Sequence, residues 1–308
     1  MVGSDHEVEC IRDVNRLAEE ALANAWKRDF SGLFFASILV LWFGFLLISI
    51  IIFGHIELWP IIWGLVLFNI CNKVFNLFVT SSCSSLFQGL AHESRHDFSN
   101  IAISLMHLTI ISLAVVTLIA REARVFGLEK MSLHEVLYSK PWPGAHITVG
   151  TSCGYFAYDQ WDMLRKHLYN PRSPSRFIHH VILLICFSLA IYYNNCINYV
   201  TLTLVCEVHN VILQLRKVRK LLSTKQTRHS WGNSMMWFLN WMTYLTTRLA
   251  FHFCITMKLF YDAPKFPQGF EWSMKFMGML SLNVFNLNLG KNLWKIHRKE
   301  RVCVRLRQ

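Results

Sequence analysis

The segment RFIHHVILLICFSL, residues 176–189, sets His179 and His180 at the start of an otherwise apolar run. A neutral imidazole donates at one ring nitrogen and accepts at the other. That suits general acid/base work, nucleophilic acyl transfer or plain hydrogen bonding. Adjacent residues of a helix point about 100° apart, so at most one of the two rings addresses the centre of a bundle while the other meets a neighbouring helix. Glu207 is the carboxylate available to orient one of them, as a carboxylate fixes a tautomer in a hydrolase triad. It heads a stripe of Glu207, Asn210 and Gln214 at helical spacing.

The same spacing recurs in other apolar runs. Asn100, Ser104 and His107 form one stripe, and Tyr155, Asp159 and Asp162 a second. Asn240, Tyr244 and Arg248 form a third, and Asn283, Asn286 and Gly290 a fourth, while Asn69, Asn72, Lys73 and Asn76 cluster likewise. Polar side chains in hydrocarbon are costly, so these faces turn toward protein or a wet cavity. Hydrogen bonding between neighbouring helices accounts for any one stripe taken alone, and a buried acid facing Arg248 accounts for a paired lock. If successive spans alternate in direction, the stripes share a depth and the histidine pair joins them. They then enclose one polar chamber toward the side that the charge pattern makes cytosolic.

The elements that must hold these residues are membrane helices. The 308 residues are 53% hydrophobic and only 16% charged, too apolar for an ordinary soluble domain. Crossing a bilayer takes about 20 apolar residues, and suitable runs fall at 32–53, 59–79, 99–119, 144–163, 177–194, 196–215, 235–260 and 272–294. The expectation is an all-α polytopic bundle of about eight transmembrane helices; the weaker second, fourth and last runs leave seven or six as alternatives. Only the first lacks a polar stripe and is expected to face lipid. The basic tail and the Arg- and Lys-rich loops at 164–176 and 216–234 place those ends in the cytosol. With a net charge of +12 arranged this way, anionic headgroups on the cytosolic side are the expected partner, together with membrane lipids generally, and nucleic acid is not. Residues 1–31 read as a cytosolic segment with helical periodicity, either solvated or lying on the membrane, and YNPRSPSR (169–176) reads as a stiff cytosolic turn. No cysteine or histidine spacing suggests a metal site.

Taken in order, NIAISLMH, GYFAYD, FIHH, EVHNVILQLRKV and NVFNLNLGKNLWKI resemble the TLC domain, the family that includes ceramide synthases. The resemblance implies a six-helix TLC core over residues 90–296. Two additional transmembrane helices (32–89) precede it and a basic tail (297–308) follows. Ceramide synthases join a sphingoid base to an acyl group with two neighbouring histidines and two acids three residues apart. The histidines fall on His179 and His180 and the acids on Glu207 and Asn210, so the second acid position cannot ionise. The sequence is similar instead to the small TLC-domain regulators of membrane fluidity, the calfacilitin-like subgroup. That implies a multipass plasma-membrane protein, with the endoplasmic reticulum as the alternative compartment, that limits incorporation of polyunsaturated acyl chains into phospholipids. The expected lipid-binding residues are Asn100, Ser104, His107, Tyr155, Asp159, His179, His180, Glu207, Asn210, Arg248 and Asn283. No cofactor is expected. The alternatives are an acyltransferase using His179, His180 and Glu207 with acyl-CoA as co-substrate, and a lipid transporter or channel regulator.

Overall fold

The computed structural model describes residues 32–82, 92–165, 175–222, 231–267 and 270–305; the expected N-terminal helix and most of the turn at 169–176 lie outside the described residues. In chain order the helices are α1 (Gly32–Ile51), α2 (Trp59–Ser82), α3 (His92–Met131), α4 (His134–Tyr138), α5 (Ala145–Arg165), α6 (Ser175–Tyr192), α7 (Ile197–Thr203) and α8 (Glu207–Leu222). They continue with α9 (Trp231–Thr243), α10 (Phe251–Tyr261) and α11 (Phe270–Arg305). A short 3₁₀ turn, Leu204–Cys206, joins α7 to α8, and a π-helical turn, Tyr244–Ala250, joins α9 to α10. The chain is an all-α membrane protein, with helices over every expected span. Among the described residues, three segments, Gly32–Ile51, Ile56–Val79 and Phe98–Met131, are long and apolar enough to cross by themselves.

Helix α1 shows how an apolar run divides its faces. Phe35, Leu39, Trp42, Leu46 and Ser49 recur every three or four residues and are buried, while Leu41, Ile48 and Ile51 are exposed. The buried stripe lies on α6, where Phe35 meets Phe177 and the Trp42 indole donates to Ser188 Oγ at 2.9 Å. The exposed face fits lipid, as expected; the face against α6 was hidden by the lack of polar residues in this span.

Between membrane helices there is little hydrophobic drive, so close packing must come from small residues. Helix α2 pairs extensively with α5. At its centre a Cβ on Gly154 would enter the backbone of Ile61 and Leu65, and one on Gly64 would come within 2.7 Å of Thr151 O. Only glycine permits that approach.

Helix α3 runs past the expected end at 119. Its Arg121 pairs with buried Glu122 and also donates to Pro143 O at 2.7 Å, so the charges cost little at the bundle end. Gly127, at φ +76°, breaks the helical path. The following loop is pinned by Asn198, which accepts from Trp142 N–H and donates to Val136 O and Lys140 O. Nearby, buried Asp262 receives Tyr199 OH at 2.6 Å and the ammonium groups of Lys258 and Lys265, with His134 Nδ1 at 3.5 Å. At the other end Arg216 reaches Glu300 at 2.9 Å and lies 3.3 Å over the Trp237 ring, tying α8, α9 and α11 together.

Candidate functional site

The expected site residues gather into two groups. In the first, α3, α5 and α6 meet. His107 Nε2 lies 3.2 Å from Ser152 Oγ, and its ring stacks on Tyr155 with centroids 3.7 Å apart. Phe156 follows on α5, with His107 against one side and His180 against another. His180 Nδ1 stands 3.4 Å from Asp159 Oδ2, and both groups are buried. The histidine pair diverges as helix geometry requires. His180 faces α5, and half-buried His179 meets the edge of Phe285 on α11.

The carboxylate set beside a histidine of the pair is therefore Asp159. Sequence reasoning gave that role to Glu207, because Glu207 occupies the motif position and pairing across α5 and α6 leaves no mark in either helix alone.

The second group joins α8, the π-helical turn, α10 and α11. Asn210 Nδ2 donates to Glu207 Oε2 at 2.7 Å, and Arg248 Nη2 donates to Asn210 Oδ1 at 2.7 Å. The other arm of Arg248 donates to Asn286 Oδ1 at 2.7 Å. Asn286 Nδ2 in turn donates to His252 Nδ1 at 2.9 Å, which leaves His252 Nε2 as the donor to Thr203 O at 2.9 Å. Those contacts set the His252 tautomer. Both ends of the Asn210 amide are in use, as donor to an acid and acceptor from a guanidinium. A carboxylate at this position would lose the donor.

Of the remaining expected residues, Ser104 accepts from Gln214 at 3.0 Å, linking α3 to α8, and Asn283 donates to Thr256 at 2.7 Å. Asn72 accepts from Ser99 and from Asn76, both at 3.0 Å. Asp162 holds Arg165 at 3.1 Å, and Asn100 is half-buried on α3. Tyr244 OH donates to Asn286 O at 2.9 Å, and Asn240 is fully buried. His252 and Ser152, which sequence reasoning missed, belong to the same two networks. His252 sits four residues after Arg248, the one sequence signal that would have found it.

Most of these polar groups thus bond to partners on neighbouring helices, while buried Asn240 has no hydrogen-bond partner at either side-chain amide atom among the described residues. A cavity of about 70 Å³ lies beyond them, among α6, α7, α10 and α11, and its walls are apolar. Thr203 lines its inner end, where His252 holds the Thr203 carbonyl. Chemically, the first group sets an imidazole within ion-pairing distance of a carboxylate, and the second a buried acid and a buried cation separated by one amide.

Comparison with known proteins places these residues in a family context. A sequence model of the TLC domain matches residues 97–295. The chain is also 26% identical over 153 residues to TLC domain-containing protein 2 of Danio rerio, a stretch amounting to 49% of this chain and 59% of that relative. The chain therefore covers less than two thirds of the relative's length. No solved structure matches.

Proposed function

Because the chain belongs to the TLC domain family, we propose that it regulates the phospholipid composition and fluidity of the plasma membrane by limiting the incorporation of polyunsaturated acyl chains. The polar end of a lipid would be met by His179, His180 and Glu207 within a lipid-accessible polar chamber opening toward the cytosol. Asn100, Ser104, His107, Tyr155, Asp159, Asn210, Arg248 and Asn283 would form its walls. Anionic headgroups would be met by the basic residues that flank the spans on that side.

The observation that carries this reading is the use of Asn210. In the ceramide-synthase pattern the position holds an acid; here an amide bridges Glu207 to Arg248, so the charge of Glu207 faces a guanidinium across one side chain. With no second acid beside Glu207 and both ends of the Asn210 amide in use, the arrangement favours recognition over proton transfer between paired carboxyls. The half-buried ring of His179 supplies the access that a lipid headgroup needs.

The test is lipidomics on cells lacking the protein, complemented with the wild type or with His179→Ala/His180→Ala. Loss should raise phospholipid polyunsaturation and lower membrane order while ceramide stays constant. The double variant should fail to restore the wild-type profile. Unchanged unsaturation, or a fall in ceramide, would refute the reading.

A second reading, acyl transfer, is favoured by the Asp159 and His180 pair, which brings a carboxylate to within 3.4 Å of a buried imidazole. Purified protein with labelled acyl-CoA separates the two. Product formation lost in His180→Ala and lowered in Asp159→Asn identifies an enzyme.

A further inference from the structure

The apolar cavity begins about one turn past the histidine pair, at Ile182 and Leu183 of α6, and is lined by none of the residues expected to bind lipid. Its two long walls are helical stripes. Ile182, Cys186 and Leu189 recur along α6, with Tyr193 just past its end, and Met274, Gly278 and Leu282 recur along α11. On its open side Ile182, Cys186 and Leu189 are half-buried and Tyr193 is 55% exposed. Its floor is closed by buried Phe187, Ile255, Leu259 and Met279. The space is therefore a groove between α6 and α11 that is open sideways.

Three observations identify what fits it. First, the lining is almost wholly apolar, and in a membrane protein the medium outside such an opening is hydrocarbon. Second, from Ile182 to the end of α6 at Tyr192 the groove wall rises about 15 Å, matching the roughly 15 Å that one leaflet contributes to a 30 Å core. Third, polar groups lie at the end away from His179. There Lys275 lines the groove and donates to Asn195 Oδ1 at 3.1 Å. Gly278 keeps the groove open, since a Cβ there would come 3.0 Å from Cys186 Sγ on the facing wall.

We propose that the groove between α6 and α11 holds one acyl chain of a membrane phospholipid, drawn from the leaflet opposite the basic end, with its headgroup at the Lys275 and Asn195 rim. The site is separate from the polar chamber and stands whether or not that chamber binds lipid.

The full chain, reconstituted in nanodiscs containing phosphatidylcholine with a mid-chain diazirine on one acyl chain, is photolysed and the labelled peptides are mapped. Labelling should concentrate on 182–193 of α6 and 274–282 of α11, above that on Leu41 and Ile48, which are exposed on α1. Gly278→Phe should bring groove labelling down to the α1 level without changing α1. Cys186→Phe, which fills the same space from the facing wall, should do likewise, so that one misfolded variant does not decide the matter. Groove labelling equal to α1 labelling in the wild type overturns the proposal, as does labelling that survives both substitutions in folded protein.

Discussion

Replacing Arg248 with methionine tests the second polar group directly. The guanidinium donates 2.7 Å bonds to Asn286 and Asn210, and Asn210 carries its influence to Glu207. Bonds involving charged groups contribute about 1.5–3 kcal/mol each in soluble proteins, whereas polar contacts between membrane helices average nearer ~0.6 kcal/mol. Arg248 falls toward the higher figure because its removal takes the charged donor from both the Asn210 and the Asn286 carbonyl oxygens, a loss of about 3–5 kcal/mol for the two bonds together. The expected result is a drop in unfolding midpoint on the order of 10 °C, followed by thermal unfolding in detergent. Glu207→Gln in the same background should recover part of it, because the acid left uncompensated is then neutral while the bond from Asn210 persists. A double-mutant cycle should give a coupling of about 1–2 kcal/mol. Additivity of the two substitutions within about 0.5 kcal/mol would show that the two charges do not sense each other through Asn210, and the account of this network would fail.

Two further outcomes follow from the packing. Gly154→Ala should destabilise the protein by about 3 kcal/mol or more, at the upper end of overpacking effects, because the new methyl group meets backbone 2.5 Å away at Leu65 N, which cannot move aside as a side chain would; thermal unfolding measures it. The loop at 133–139 should loosen in mild acid. Burial holds the His134 imidazole below its usual value; Asp262 opposes, while Lys265 and Lys258 act in the same direction as burial. The unfolded chain therefore gains a proton near pH 6.5 that the folded chain refuses, and stability falls as pH drops through that range. For Asp262, burial raises the carboxyl, but bonds from Lys258, Tyr199 and Lys265 outweigh it and leave the value below the ordinary range. Its contribution therefore persists until pH falls through that lowered value. Faster amide exchange in this loop at pH 5.5 than at pH 7.5, after correction for intrinsic rates, and its absence in His134→Gln, would check the sign.

Hydropathy made the spans legible because each helix must cover a fixed thickness, and α2, α5 and α6 begin and end within a few residues of the expected positions. The ends were less legible where charges find partners. Arg121 extends α3 through Glu122 and Pro143, and Glu300 extends α11 through Arg216. Helical spacing also showed which face of each span is polar, since Ser104, His107, Asp159, Glu207 and Arg248 all point inward. Spacing could not show which polar face meets which. The pairing of His180 with Asp159, and of Arg248 with both Asn210 and Asn286, depends on how whole helices are rotated against one another. The π-helical turn at Tyr244–Ala250, which places Arg248, likewise lies in a sequence that reads as continuous helix.

The glycine contact between α2 and α5 bears on where this protein can be cut. The segment that the TLC family model recognises begins at residue 97, yet the tightest backbone apposition joins Gly154 inside it to Ile61 and Leu65 outside it. Homology and cooperative folding thus draw different borders. A fragment trimmed to the recognised segment would present a bare glycine furrow to surrounding lipid, so α2 behaves as a wall of the unit that an expression boundary should retain.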